Sequence, residues 1–355
     1  MKIFENQQYI EDVECVAKQQ LPWEKLKDKV ILISGGSGLV GSFLVDVLMK
    51  CNTEYQLNCK VIVIGRTEKK ALERFSYCWD SDLFEFISMD ISQKMDVQAF
   101  EKMSYIIHLA SNTHPVAYAT EPISTITTNV FGTYNLLELA VEKNAERFVF
   151  ASSNEIYGEN RGDVEFFDEK YCGYIDSNTL RAGYPESKRC SEALCQAFSA
   201  QKGIDVVIPR LTRSYGPTML MNDSKALSQF IKNALNGEDI VLKSEGRQYY
   251  SYTYVADAVY GLLTVMLLGE SGECYNVADE QSDIRLRDLA QIIANKAGTK
   301  VIFELPDEVE RQGYSTATKA RLVATKLKKL GWKSMYDMEK GLGNTLSILQ
   351  TIYNK

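Results

Sequence analysis

The chain has 355 residues, 45% hydrophobic and 25% charged, with a formal net charge of -7 and eight cysteines. That length allows one large or two medium domains around a sizeable core, and an acidic balance without a basic block argues against nucleic acid or an anionic membrane surface as a partner. The cysteines are scattered without a C-x-x-C pair, which argues against a metal site or disulfide framework and fits reduced thiols in a cytosolic protein.

The opening Met1-Lys2-Ile3-Phe4-Glu5-Asn6 leads into polar sequence rather than a signal peptide. Within residues 1–28, Ile10, Val13 and Val16 fall on one helical face, and packing on the main body is the expected role. Strands and helices then alternate. Strands are expected at Val30–Ile33, Lys60–Ile64, Glu85–Ser88, Tyr105–Leu109, Phe148–Ser152 and Asp205–Pro209, and helices at Ser42–Met49, Pro122–Lys143 and Tyr184–Gln201. This alternation predicts an α/β fold of Rossmann type, a doubly wound parallel sheet. After Arg210 the pattern loosens, with helical stretches at Ser228–Leu235 and Leu286–Ala297. The expected division is a helical extension over 1–28, a dinucleotide-binding domain over 29–209 and a mainly substrate-binding region over 210–355, parts of which return to the sheet. The longest apolar run, Tyr260 to Leu268, is too short to span a bilayer, so a cytoplasmic location is expected. Of the two histidines, His108 lies in an apolar run and reads as structural; His114 is the other.

Two motifs carry chemistry. Ser34-Gly35-Gly36-Ser37-Gly38-Leu39-Val40-Gly41 sits between an apolar strand and a helical pattern, the context a phosphate-binding glycine turn requires. Gly35 would make the tight turn, Gly38 would let the backbone approach a pyrophosphate, and Gly41 would let helix pack on strand. Tyr184-Pro185-Glu186-Ser187-Lys188 places a phenol and an ammonium one helical turn apart. A fixed cation beside the phenol lowers its pKa from about 10, so the pair can take a proton from an alcohol while a nicotinamide is reduced.

With these motifs in place, the chain resembles the extended short-chain dehydrogenases, the nucleotide-sugar epimerase/dehydratase family, over about residues 29–345. The resemblance includes Asp90-Ile91, His108-Leu109-Ala110-Ser111, Thr128-Asn129, Ala151-Ser152-Ser153-Asn154-Glu155-Ile156-Tyr157-Gly158, Ser214-Tyr215-Gly216-Pro217, Tyr254-Val255-Ala256-Asp257, Tyr275-Asn276-Val277 and Leu330-Gly331-Trp332. It implies NAD or NADP as cofactor, a nucleotide-sugar substrate oxidised at C4 to a ketone, and a homodimer built from the helices near 122–143 and 184–201. It implies that Tyr184 is the base, that Lys188 holds the nicotinamide ribose and lowers the phenol pKa, and that Ser153 bonds the C4 oxygen. Asp90, Ile91, Leu109, Ala110, Ser111, Asn129 and Ser152 would line the cofactor together with the glycine turn. The dehydratases place Asp then Glu after that serine, whereas this chain has Asn154 then Glu155. An amide cannot serve as a general acid, so dehydration is disfavoured, while Glu155 remains a candidate for work at C5.

Arg181-Ala182-Gly183-Tyr184 looks like the R-x-x-Y of the UDP-glucuronate decarboxylases, with Arg181 facing an acidic group. Two departures mark this chain. Tyr250 stands where that branch carries Arg, with Arg247 the nearest cation, and Arg213 stands where the family has Asn before Tyr215. These positions imply an altered substrate pocket. At the end of the second strand, Ile64-Gly65-Arg66 replaces the usual ribose-binding Asp. Arg66 can pair with a 2′-phosphate, so both NAD and NADP stay open, with a lean to NADP. The expected function is a decarboxylase-like or epimerase reaction in glycan precursor synthesis. The alternatives are an NADPH-dependent reductase of a nucleotide-linked keto or aldehyde sugar, and a cofactor-binding regulatory protein without catalysis.

Overall fold

A computed structural model describes residues 1–113, 115–304 and 318–353; His114, noted above, and positions 305–317 and 354–355 of the C-terminal region lie outside the described residues. Among the described residues the centre is an eight-stranded sheet of β1 (Val30–Ser34), β2 (Lys60–Gly65), β3 (Phe84–Ser88), β4 (Tyr105–His108), β5 (Arg147–Phe150), β6 (Ser152–Ser153), β7 (Val206–Leu211) and β11 (Cys274–Val277). The order is β3-β2-β1-β4-β5-β7-β11, with β6 also on β7, and every pairing is parallel. Strands covered on both faces read as continuous apolar runs; Ile31, Leu32, Ile33, Val61, Val63, Ile106 and Ile107 are all buried. The chain reverses its direction of strand addition at β1, which opens a crevice between the ends of β1 and β4, the place where an α/β sheet takes its ligand.

Helices α2 (Leu39–Tyr55), α3 (Glu68–Arg74), α4 (Pro115–Thr120), α5 (Pro122–Glu142) and α6 (Gly183–Lys202) flank this sheet, and α5 packs along α6. Pro122 stands in the first turn of α5, where its missing N–H costs nothing, and Gly203 ends α6 in the left-handed conformation. Helix α8 (Val255–Leu268) is buried almost throughout its length. The apolar run Tyr260–Leu268 is thus a core helix, and no helix among the described residues is long and apolar enough to cross a membrane.

A second sheet of β8 (Arg213–Tyr215), β10 (Tyr249–Tyr254), β12 (Asp283–Arg285) and β14 (Lys319–Ala320) lies beyond the main one. Its register sets Arg213 beside Tyr252 and Tyr215 beside Tyr254. The N-terminal α1 (Gln7–Ala17) packs on α2 and α8. Its buried Asp12 accepts hydrogen bonds from the Tyr254 and Tyr336 hydroxyls and from Asn344 Nδ2. Burial raises the Asp12 pKa, and those three donors oppose the rise. The expectation that residues 1–28 pack on the main body holds at this helix.

Candidate active site

The glycine turn leaves β1 and enters α2. Gly35 has φ +74°, a conformation that glycine reaches without steric cost. A Cβ there would lie 2.6 Å from Ala110 N, and one at Gly41 would collide with the Gly35 carbonyl. Both positions are closed by the protein's own backbone. At Gly38 a Cβ would meet only Gly35 O, at 3.3 Å, so this is the point where another molecule can reach the main chain. Gly38 is also the N-cap of α2 and provides no side-chain cap. The unbonded N–H groups of a helix start attract phosphate. The Leu39 carbonyl accepts from Thr218 Oγ1 at 2.7 Å, and Leu39 and Val40 pack half-buried on the core.

The far wall of the crevice follows β4. Ser34 Oγ and His108 Nδ1 are 2.7 Å apart, Leu109 N donates to Ser34 O at 3.0 Å, and Ala110 N donates to Ser34 Oγ at 3.4 Å. Burial pulls the His108 pKa well below its ordinary value and the charge of Lys188 adds to this, so the ring is neutral. It is structural, as expected. Asp90 Oδ1 accepts from Ser92 N at 2.9 Å and Ser92 Oγ at 2.8 Å, and the buried Ile91 packs against Gly132 of α5. Arg66 is exposed just past β2.

Two buried polar groups near the crevice, Asn129 Oδ1 and Ser152 Oγ, have no protein partner. Such groups are costly unless something completes them. Asn129 is oriented by its other end, since Nδ2 donates to Ser187 Oγ at 2.8 Å. Together with the open Gly38 backbone they fit a dinucleotide laid across β1, β4 and β5.

Tyr184 begins α6, and the Ser153 and Ser111 hydroxyls lie close enough to its phenol to pull its pKa down. Its ring stacks on Tyr118 of α4, with centroids 5.0 Å apart. Lys188, one turn on, is 2% exposed; its Nζ donates to Ala151 O at 2.9 Å and lies 4.7 Å from the Phe150 ring centroid. Burial pulls the Lys188 pKa down to about 8, against the pull of Glu192.

One expectation needs correction here. The Tyr184 phenol is pushed up rather than down: burial is the largest cause, the Glu155 carboxylate adds to it, and Ser153, Arg181 and Ser111 pull back. Helical spacing places Lys188 close by, but its ammonium is spent on the Ala151 carbonyl, and desolvation of a buried phenol outweighs the charges around it.

Glu155 lies in the turn after β6, where Ser153 Oγ accepts from its backbone N–H at 3.2 Å. Arg181 Nη2 holds both carboxylate oxygens of Glu155, at 2.9 and 2.8 Å, and lies over the Tyr118 ring, 4.9 Å from the centroid. Asn154 is buried in the same turn. Arg213 lies over Tyr250, 3.6 Å from the ring centroid, with its Nη1 buried and unpartnered. The Tyr250 phenol in turn feels both Glu155 and Arg181. The structure thus gathers Ser111, Ser153, Glu155, Arg181, Tyr184 and Tyr250 around one spot, with Arg213 behind Tyr250. Tyr118 was not anticipated, because neither periodicity nor a motif marks it.

Two other candidates lie elsewhere. Arg247 is 79% exposed at its side chain and pairs with Glu245 at 2.5 Å. Tyr215 is buried against Tyr254 and Gly341 of the C-terminal helix. A cavity of about 430 Å³ lined by Phe4, Tyr9, Val13, Asp46, Lys50 and Tyr77 shares no residue with the cluster. Among the described residues no group of His, Cys, Asp and Glu could hold a metal.

The parallel sheet, the glycine turn and the Ser153–Tyr184–Lys188 group define an extended short-chain dehydrogenase/reductase. The model of the NAD dependent epimerase/dehydratase family matches residues 31–278, and the chain belongs to this family. It is therefore an enzyme of an NAD-dependent class. It is 32% identical to UDP-glucuronic acid decarboxylase 1 of Xenopus tropicalis over 90% of this chain and 71% of that protein. It is 33% identical to UDP-glucuronic acid decarboxylase 5 of Arabidopsis thaliana over 88% of this chain and 86% of that protein. Among solved structures, UDP-glucuronic acid 4-epimerase from Bacillus cereus, in complex with UDP-glucuronic acid and NAD, is 20% identical. It aligns over 91% of this chain and 100% of its own with a TM-score of 0.76. A dTDP-glucose 4,6-dehydratase from Streptomyces venezuelae, 23% identical, aligns over 91% and 97% with a TM-score of 0.78.

Proposed function

We propose that this protein decarboxylates a UDP-linked uronic acid through oxidation at C4. The observation that carries the reading is the gathering of Tyr184, Ser153 and the Arg181–Glu155 pair around one spot. The decarboxylases named above supply the substrate class.

The Gly38 backbone and the Asn129 and Ser152 side chains would hold NAD, which would supply a reversible acceptor for the hydride from C4. The chain's own groups do the rest. Ser153 Oγ holds O4, and Tyr184 Oη takes the proton from the C4 hydroxyl. A phenol held above its ordinary pKa is a poor base at neutral pH, so it depends on the cations beside it, Arg181 and Lys188, to oppose the effect of burial. Once C4 is a ketone, the carboxyl carbon is β to it. The C5–carboxyl bond then breaks as CO2 leaves, and the electron pair passes through C5 to O4. Tyr184 Oη, now protonated, hydrogen-bonds the enolate O4 while C5 takes a proton from water and the C4 ketone is restored. O4 then takes the Tyr184 proton as the hydride comes back to C4. Arg181 holds the Glu155 carboxylate by both of its oxygens. Asn154 gives no acid for loss of a hydroxyl, which favours decarboxylation over dehydration.

The assembly we infer is a homodimer through α5 and α6. Ile123, Ile126, Phe131 and Tyr134 are exposed on α5 at near-helical spacing, and an apolar stripe of this kind favours a partner. Residues 29–209 serve as the cofactor half and 210–355 as the substrate half. We assign NAD as the cofactor, from the family; Arg66 remains available to a 2′-phosphate, so titration with both cofactors decides between them. We propose a role in glycan-precursor synthesis, in the cytoplasm.

The test is mass spectrometry of the products formed from UDP-glucuronate with substoichiometric NAD. A UDP-pentose, lighter than the substrate by one CO2, is expected. With chromatographic separation ahead of the spectrometer, an isobaric epimer at a new retention time would replace decarboxylation by epimerisation, and unchanged substrate would reject both.

A further inference from the structure

We propose that Arg213 is the residue that reads the substrate's negative charge, with Tyr250 as its platform; this rests on the nucleotide-sugar reading above. Most half-buried arginines of this chain keep a carboxylate for company. Arg210 is held by Glu192 at 3.0 and 2.7 Å, Arg147 by Asp205 at 2.9 and 2.8 Å, and Arg321 by Glu165 at 2.8 Å. Arg74 is paired with Asp46 and Arg181 with Glu155. Arg213 has no carboxylate among the described residues, and its Nη1 is both buried and unpartnered.

A guanidinium is never neutral in a protein, and a buried cation without a counter-charge is costly. The ring of Tyr250, 3.6 Å away, provides a cation–π contact that lowers this cost but leaves the in-plane N–H donors unused. Stacking on a ring also fixes the plane of the fork. A fixed fork of N–H donors suits a flat pair of anionic oxygens, a carboxylate or two phosphate oxygens.

The location limits the choice further. Arg213 belongs to β8, and its neighbour in the sheet is β10, which carries Tyr250. Tyr250 is within electrostatic reach of Glu155 and Arg181, and those flank Tyr184. Arg213 therefore reaches the cluster around Tyr184 by way of Tyr250, from a strand of the second sheet. Arg181 is paired with Glu155 and Lys188 is bonded to the Ala151 carbonyl, so among the described residues Arg213 is the arginine of this cluster without a carboxylate. An anion on the substrate completes it.

Calorimetric titration of the NAD-loaded enzyme with UDP-glucuronate, UDP-glucose and UDP tests this, using wild type, Arg213→Gln and Arg213→Lys. If the sugar carboxylate is the partner, Arg213→Gln weakens UDP-glucuronate by at least about 30-fold and leaves UDP-glucose and UDP nearly unchanged. If the diphosphate is the partner, all three weaken together. Arg213→Lys keeps the charge without the planar fork and should fall between the two, which also tests the proposal should the Gln variant fold poorly. Equal affinities of wild type and both variants for all three nucleotides would overturn the assignment while leaving the proposed function standing. Failure of the wild type to bind any of them would defeat the proposed function, and this inference with it.

Discussion

Arg181 Nη2 sits 2.8 Å from one oxygen of Glu155 and 2.9 Å from the other, and the two charges act in opposite senses on the Tyr184 phenol. Glu155 raises its pKa and Arg181 lowers it. The base form of Tyr184 appears as pH rises through that pKa. Arg181→Ala should therefore move the acid limb of kcat/KM to higher pH, and Glu155→Gln should move it lower. A pH–rate profile of each variant checks the prediction; limbs that move together, or not at all, would show that the pair does not tune the base.

Lys188 sets the other limb. Its pKa of about 8 means that the ammonium is charged below that pH and neutral above it. Glu192, Cys195 and His108 are the titratable groups that share its field. Because the Tyr184 base needs the cation, the rate should fall as pH rises past about 8. The residual activity of Lys188→Arg should lack this alkaline limb, since guanidinium does not titrate there. Steady-state rates between neutral and alkaline pH make the comparison.

Tyr184→Phe removes the hydroxyl and keeps the stack on Tyr118. We expect kcat to fall by about 10³-fold, within the range of a general base. NAD affinity, measured by calorimetry, should change little, because the cofactor groups on the glycine turn, Asn129 and Ser152 are untouched.

Asp12 ties α1 to the body. Asp12→Ala leaves the Tyr254 and Tyr336 hydroxyls and Asn344 Nδ2 without this acceptor, at a cost on the order of 3 kcal/mol. The midpoint of urea unfolding should drop accordingly. Asp12→Asn keeps one acceptor oxygen and should lose less.

Phe131 is 53% exposed on α5, within the proposed dimer face. Light scattering should give twice the chain mass for wild type and the single chain mass for Phe131→Glu. A wild-type monomer at micromolar concentration would remove the dimer from the account.

Much of the fold was legible because buried parallel strands and a glycine turn leave strong local marks. Leu286–Ala297 was read to the residue, and α5 and α6 to within a residue or two. Helix α2 was read too short, at Ser42–Met49 instead of Leu39–Tyr55, because Asn52, Thr53 and Glu54 break the apolar pattern that marks a helix. Helix α8 was not recognised as one, since a helix that is apolar all round has no periodicity to detect. The strand around Ser152 was read as continuous with β5, whereas the ladder breaks at Ala151 and β6 pairs with β7 instead.

The site divides along the same line. Tyr184, Lys188 and Ser153 lie in recognisable local motifs, so sequence found them. The Arg213–Tyr250 stack joins residues that meet only because β8 pairs with β10, a non-local contact that spacing cannot reveal. Burial misled the reading of the phenol: helical geometry predicts the neighbour but not how far desolvation outweighs it.

The central claim is transient oxidation at C4 by the Tyr184 group. Stopped-flow nicotinamide absorbance in a single turnover of NAD-loaded enzyme with UDP-glucuronate tests it most directly. The account predicts a reduced-cofactor signal that rises and then returns to baseline in wild type, and its near absence in Tyr184→Phe. Product formed by wild type with no such transient, even with rapid mixing, or an unchanged transient in Tyr184→Phe, would contradict it.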